Sequence, residues 1–301
     1  MEALSKVLCI NTTLTSLDLS FNYLGPKLGK VLAKALCKNT TLTSLSLSDN
    51  QLGSEGIEAL SEALHTNIAL NSLNIGYNQI GLGGIKSLSE ALYINATLTF
   101  LNLSGNRHGF KEWEILIGAL CKNSTLTSLD LSLNMLNFGE GEVLIETLCK
   151  NTALTSLNLN WNSLGSKGGK AMAKFLCKNS TLTSLFIQGN QLGSEGTEAI
   201  VGALCKNTVL TTLHLGDNQI SSIGIKALAK TLYVNTTLIS LSISFNQLNI
   251  EGGRAIMEAL CVNTTLNALD IYNNDLNSKE LRTFIEGVRK NNNLVSLTYL
   301  K

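Results

Sequence analysis

Charge of one sign is what this sequence lacks most clearly: 23 Lys and Arg stand against 22 Asp and Glu, a net charge of +1. A general binder of nucleic acid or of membrane surfaces needs an excess of basic residues, so neither partner is expected, although a balanced total leaves room for a local patch. Long apolar runs are missing too, and nothing approaches the roughly 18 consecutive residues that a membrane span requires. The N-terminal Met1–Lys6 has no basic segment leading into an apolar one, so no secretion signal is expected. Proline is reduced to Pro26 and aromatic residues to 5%. What remains is a soluble, leucine-dominated composition, 44% apolar, with no low-complexity tract apart from a repeat.

That repeat has a period of 28, and 301/28 gives 10.75 units. Repeats start at Leu14, Leu42, Leu70, Leu98, Leu126, Leu154, Leu182, Leu210, Leu238 and Leu266, and Leu294 opens a final fragment. A second leucine column runs from Leu17 to Leu297. A third starts at Leu19, with Ile75, Ile187, Ile243 and Ile271 as aliphatic variants and Tyr299 at its end. A fourth, Asn22 to Asn274, is asparagine throughout. Self-similarity at such a period overrides any domain count taken from length. The expectation is one domain over 1–301: a partial helix at 1–13, ten repeats, and a terminal strand at 294–301.

Each column has a physical reason. Leu14-x-x-Leu17-x-Leu19 ends in period-two alternation, as in a short strand with one buried face. The chain then turns inward, and Asn22 and its equivalents can bond the unpaired backbone groups there as a ladder. Ser54, Ser166, Ser194 and Ser278 read as helix N-caps. Leu60 and Leu64 share one helical face. Asn11, Asn39, Asn67, Asn95, Asn123, Asn151, Asn179, Asn207, Asn235, Asn263 and Asn291 read as helix stops, because asparagine tolerates the left-handed conformation.

The pattern L-x-x-L-x-L-x-x-N-x-L resembles that of leucine-rich repeats over the entire chain, and the 28-residue length resembles the ribonuclease-inhibitor-like subclass. The resemblance implies an α/β solenoid, a horseshoe with parallel strands on the concave face and helices on the convex face. Segments such as Asn39–Leu45 are also similar to the arrays of nucleotide-binding innate-immune receptors and of effectors from intracellular bacteria. No nucleotide-binding domain accompanies them here.

Other signals are weaker. Cys9, Cys37, Cys121, Cys149, Cys177, Cys205 and Cys261 share one repeat position. Helices pack about 8–10 Å apart, beyond disulfide reach, so these cysteines read as reduced packing residues and a reducing cytosol as the compartment. The Asn-x-Ser/Thr sequons at Asn11, Asn39, Asn95, Asn123, Asn179, Asn235 and Asn263 coincide with helix stops, and Asn102 falls in a strand. Gly165–Lys170 is one residue short of a phosphate-binding loop, with Ala171 in place of its Ser/Thr. His65, His108 and His214 are scattered, so no metal, cofactor or catalytic group is expected. Lys30 and Glu58, Lys34 and Glu62, Glu142 and Lys170, Glu146 and Lys174, Lys170 and Glu198, and Lys230 and Glu258 stand 28 apart, as neighbours on the helix face.

A partner is expected on the side chains between and just after the strand leucines. The column before the ladder asparagine reads Phe21, Asp49, Tyr77, Gly105, Leu133, Trp161, Gly189, Asp217, Phe245, Asn273. Exposed rings cost solubility unless something covers them, and Trp and Tyr are favoured interface anchors. The competing interpretation lays each ring sideways on its neighbours as a shield. Phe100, Phe186 and His214 add bulk among small strand residues. Asp18, Asp49, Asp130, Asp217, Asp270 and Asp275, opposed chiefly by Arg107, make the face lean negative. Repeat four departs most from the pattern, over Asn106–Trp113.

These features predict a non-enzymatic, cytoplasmic scaffold that binds a protein with a basic, partly apolar surface. The resemblance adds the idea of a bacterial effector in a host cytosol. Two alternatives belong to other classes. One is a regulator of a small GTPase, similar to the Ran GTPase-activating protein. The other is a monomer or weakly end-to-end self-associating structural module.

Overall fold

The computed structural model describes residues 2–107, 110–289 and 293–299. His108, Lys290, the last helix stop at Asn291 and the final residues of the terminal strand therefore lie outside the described residues. The chain groups into two compact units, Met1–Leu136 with Lys150–Thr155 and Asn137–Cys149 with Ser156–Lys301.

In the first unit, helices α1 (Glu2–Ile10), α2 (Pro26–Leu36), α3 (Gly53–Leu64), α4 (Leu82–Ile94) and α5 (Phe110–Leu120) alternate with strands β1 (Ser16–Asp18), β2 (Ser44–Ser46), β3 (Ser72–Asn74), β4 (Phe100–Asn102) and β5 (Ser128–Asp130). The second unit has helices α6 (Phe138–Leu148), α7 (Gly165–Leu176), α8 (Gly193–Ala203), α9 (Ser222–Leu232), α10 (Ile250–Leu260) and α11 (Ser278–Val288). Its strands are β6 (Ser156–Asn158), β7 (Ser184–Phe186), β8 (Thr212–His214), β9 (Ser240–Ser242), β10 (Ala268–Asp270) and β11 (Ser296–Thr298). Within each unit every strand pairs in parallel with the next, in a register set by the repeat: Leu17 faces Leu45, and Leu185 faces Leu213. The middle leucine of each strand points inward, while its two neighbours face out.

The core lies between strands and helices, formed by columns such as Leu45, Leu73 and Leu101 against Leu60, Leu88 and Leu116, all essentially buried. Trp113, from the irregular fourth repeat, is fully buried and belongs to this core rather than to the surface.

The ladder asparagines bond as their column suggests. Asn78 Nδ2 donates to Leu47 O of the preceding repeat at 2.9 Å, and its Oδ1 accepts from the backbone N–H groups of Asn50 and Leu52. The helix-stop asparagines differ from expectation. None of the described ones has positive φ, and Asn95 is extended at φ −68°, ψ 125°. They act through the side chain instead. Asn67 Nδ2 donates to Leu36 O and Asn39 O of the preceding repeat, while Oδ1 accepts from Ala69 and Leu70 N–H. A second ladder thus runs along the helix ends within each unit, and it occupies the sequon nitrogens of Asn39, Asn95, Asn123, Asn235 and Asn263.

Other local expectations are corrected as well. Helices α3, α7 and α8 begin without a side-chain cap, because the serine lies inside the first turn. Ser54 Oγ accepts from Gly84 N–H in the next repeat, and the cap of α11 is Asn277, one residue before Ser278. None of the seven cysteines forms a disulfide, yet none is buried. Cys37, Cys177, Cys205 and Cys261 are exposed at or just past the helix ends and Cys9, Cys121 and Cys149 are half-buried, so none is a core residue. The ion pairs among the described residues join positions 25 apart: Lys30–Glu55, Lys170–Glu195 and Lys226–Glu251 at 2.6–2.8 Å. Helical side chains lean toward the N-terminus, so each lysine meets the acid one turn earlier on its neighbour. Lys170 is engaged in this way, and the Gly169 Cα faces Gly196 backbone, so the Gly165–Lys170 segment is helix packing rather than a phosphate cradle.

Replacing Asn78 by Ala strands the buried backbone N–H groups of Asn50 and Leu52 and removes one of the donors to Leu47 O and Gly76 O, and we expect a loss of at least about 2 kcal/mol. Thr40→Ala, on an exposed residue, should stay within about 0.5 kcal/mol. Urea unfolding of both variants measures the difference, and equal midpoints would show that the ladder does not stabilise the fold.

Candidate functional site

The outward side chains of each strand set are small except at a few positions. In the first unit, Phe100 stands half-buried on β4 between Ser72 and Ser128. Just past the strands, Phe21 (70% exposed), Tyr77 (44%) and Leu133 (40%) share their column with the half-buried Asp49, while Arg107 is exposed just after the ladder asparagine Asn106. Asp18 lies on β1, where the Ser20 hydroxyl, the Ser20 N–H and the Ser46 hydroxyl hold its carboxyl below the usual range.

The second unit gathers more of the expected residues. Phe186, His214, Ser242 and Asp270 occupy one register line across β7 to β10. The Phe186 and His214 rings meet edge-to-face with centroids 4.7 Å apart. Ser242 Oγ donates to Asp270 Oδ2 at 2.8 Å. Burial lowers the pKa of His214, while the Asp270 charge opposes that shift. The order along this line matters chemically. A serine activated as a nucleophile gives its proton to histidine, whereas Ser242 directs its proton to the carboxylate. Two residues later, Phe245 meets Tyr272 at 5.2 Å. Tyr272 was missed as a site residue, because it stands one column away from the rings that sequence variation singles out. Among the described residues no cluster of three or more His, Cys, Asp or Glu could hold a metal.

The backbone of the variable column was not legible beforehand. All ten of its residues, from Phe21 to Asn273, have φ between 48° and 67°. This left-handed region suits Gly, Asn and Asp, which fill five of the ten positions, and costs other residues roughly 1–2 kcal/mol. Phe21, Tyr77, Leu133, Trp161 and Phe245 occupy it nevertheless. Two of these rings are partly sheltered by a glycine in the following repeat. A Cβ added to Gly189 (φ +67°) would come within 2.4 Å of the Trp161 ring, and one on Gly105 within 2.5 Å of Tyr77. Trp161 and Tyr77 thus lie against the following repeat, yet Trp161 remains 47% and Phe245 44% exposed.

A family model described as "Leucine Rich repeat" matches residues 11–31, 38–61, 66–89, 122–137, 150–173, 178–201, 206–229 and 234–257, more than half of the chain. The chain is a leucine-rich repeat protein. No curated protein sequence matches it. Among solved structures it is similar to the leucine-rich repeat-containing protein LegL7 from Legionella pneumophila, at 22% identity and a TM-score of 0.62, over 96% of this chain and 94% of that one. It is also similar to leiomodin-1 actin-binding site 2, at 23% identity and a TM-score of 0.43, over 51% of this chain and 88% of that one. The first of these likenesses supports the fold, an α/β leucine-rich-repeat solenoid of parallel strands alternating with helices, and an array of this family suggests a protein-interaction scaffold.

Two outcomes follow from this leucine-rich repeat face. Gly189→Ala should cost about 1–2 kcal/mol from backbone strain, plus a ring-clash contribution that disappears in a Trp161→Ala background. Additive losses in that double-mutant cycle would show that the ring does not rest on the glycine. For His214, a folded-state pKa below the ordinary value means that the unfolded chain takes up the proton first. Stability present above about pH 6.5 is therefore lost as the pH falls below it. Urea midpoints between about pH 7.5 and 5.5 should drop less for His214→Gln than for the wild type, and parallel curves would refute the burial.

Proposed function

We propose that the strand face binds a protein partner and that the protein itself performs no catalysis. The observation that carries this reading is the occurrence of exposed rings on left-handed backbone, Trp161 and Phe245 in the second unit and Phe21 and Tyr77 in the first. Strain of this kind persists where the structure overdetermines it, and such outliers gather at functional positions. A selection for stability alone would favour Gly, Asn or Asp in this column. Trp161 and Phe245 instead combine strain with exposed apolar area, and each is suited to anchor a partner.

The partner's surface is basic and partly apolar. Asp217 and Asp270 share the second unit's face with Trp161, Phe186, Phe245 and Tyr272, and no Lys or Arg occupies its outward strand positions. Acidic groups beside exposed rings suit lysine and arginine side chains, through ion pairing and cation–π contact. Seven cysteines outside any disulfide, none of them buried, support a reducing, cytoplasmic setting.

The test exploits the strain. Phe245→Asn and Trp161→Gly should leave the thermal midpoint unchanged or raise it, since each replaces a strained ring by a residue that accepts positive φ. The same variants should lose the saturable crosslinked partner set that the wild type captures from lysate. A folded Trp161→Gly/Phe245→Asn double variant that retains the full set would remove the rings from the binding surface.

A further inference from the structure

Net charge averages over a surface that the fold sorts into faces. The turn between each helix and the following strand forms one edge of each unit. Aspartate and glutamate are absent from all the segments concerned: 37–43, 65–71, 93–99, 121–127, 149–155, 177–183, 205–211, 233–239 and 261–267. Lysine recurs there at one repeat position, as Lys38, Lys122 and Lys150 in the first unit and Lys178 and Lys206 in the second. All five are exposed, and none belongs to an ion pair among the described residues. The nearest carboxylates, Glu62, Glu90, Glu146 and Glu258, sit one helical turn back, in a column they share with Lys34, Lys174 and Lys230.

Where lysine is missing from this position, large apolar residues replace it except at Thr66. The first unit has Ile94, with Tyr93 before it and Ile68 on the adjacent turn. The second has Val234 and Val262. Each of these five side chains is more than half exposed. Lys122 Nζ lies 5.3 Å from the centre of the Tyr93 ring, so cation and ring already share one patch.

We propose that the helix-end edge of each unit is a docking surface for an anionic lipid membrane. A nucleic acid would be drawn to the lysines but would leave Ile68, Ile94, Val234 and Val262 unsatisfied. A lipid interface accepts both groups: aliphatic side chains and a tyrosine enter the headgroup layer, while lysine stems cross it and keep their ammonium groups at the phosphates. Lysines near a surface rich in acidic lipid strengthen binding on the order of fivefold each, and salt screens the effect. The inference is independent of the strand-face partner, because within each unit the strand face carries neither these lysines nor these aliphatic residues.

Cosedimentation of the full chain with vesicles of phosphatidylserine and phosphatidylcholine, roughly one to three, tests it. The wild type should bind these vesicles, release them as salt rises, and bind pure phosphatidylcholine far more weakly. Lys178→Glu/Lys206→Glu and, separately, Lys38→Glu/Lys122→Glu should each reduce binding by more than about tenfold. Ile94→Ser/Val234→Ser should weaken it at constant charge, with circular dichroism confirming that all variants fold. Wild type that stays in the supernatant, charge reversal without effect, or serine variants that bind like wild type would each overturn the proposal. Binding to a double-stranded DNA oligonucleotide as tight as to the vesicles would overturn it in favour of a general polyanion site.

Discussion

The constraint on which this fold depends is the satisfaction of buried backbone at the two turns of every repeat. Backbone bonds such as Thr43 N–H to Thr15 O and Asp49 N–H to Gly76 O extend the pairing past the three-residue strands, but a 28-residue unit must also enter and leave the core once per cycle, and the turns that do so need further partners. Both passages bury N–H and C=O groups that water cannot reach. Asparagine answers the problem because one planar side chain carries donor and acceptor together. Asn67 and Asn78 show the two solutions side by side: each donates to carbonyls of the preceding repeat, and each accepts from N–H groups of a turn. The leucines supply the larger hydrophobic contribution, but they are interchangeable with isoleucine, as at Ile75 and Ile187. The two asparagine columns show no such exchange.

Much of this was legible in the sequence, and the reason is repetition. Ten copies of one solution expose which positions the fold constrains, so the strand leucines, the helical faces and the first ladder could be placed without coordinates. Mechanism was harder to assign than position. The helix-stop asparagines were located correctly but credited with a left-handed backbone, whereas they work through side-chain bonds to the repeat before. Residue type alone cannot separate those roles, because asparagine is favoured for both. The charge pairs show a similar limit. Sequence alignment places Lys170 opposite Glu198, while the tilt of helical side chains hands it to Glu195. A period is a statement about backbone, and long side chains need not obey it.

The site was legible only as a column of variation. Its geometry was hidden because no residue type in it announces positive φ: Trp161 and Phe245 are among the last residues one would place there. The contact of Phe245 with Tyr272, and the serine that separates His214 from Asp270, depend on three-dimensional neighbours in different columns. Within one sequence those neighbours vary independently and leave no repeated trace.

The left-handed column and the ladder are one device rather than two. To aim Asn50, Asn78 or Asn218 into the core, the backbone reverses its pleat on both sides, whereas at Asn162 and Asn246 positive φ stands on the preceding side alone. Positive φ accordingly appears at the residue before, Asp49, Tyr77 and Asp217, and again at the residue after, Gln51, Gln79 and Gln219. The excursion that turns the asparagine inward necessarily turns its flanks outward. The most constrained residue of the repeat therefore sits between two whose side chains turn away from the core, although the backbone N–H of the first still donates to the next repeat. A side chain there can change freely so long as the backbone tolerates it, and that tolerance is bounded by strain of roughly 1–2 kcal/mol, small enough for a repeat array with many other contacts to absorb. Side chains can then vary at this position without disturbing the ladder, and Phe21, Tyr77, Trp161 and Phe245, Asp49 and Asp217, and Gly105 and Gly189, which accommodate two of the rings, all occur in it.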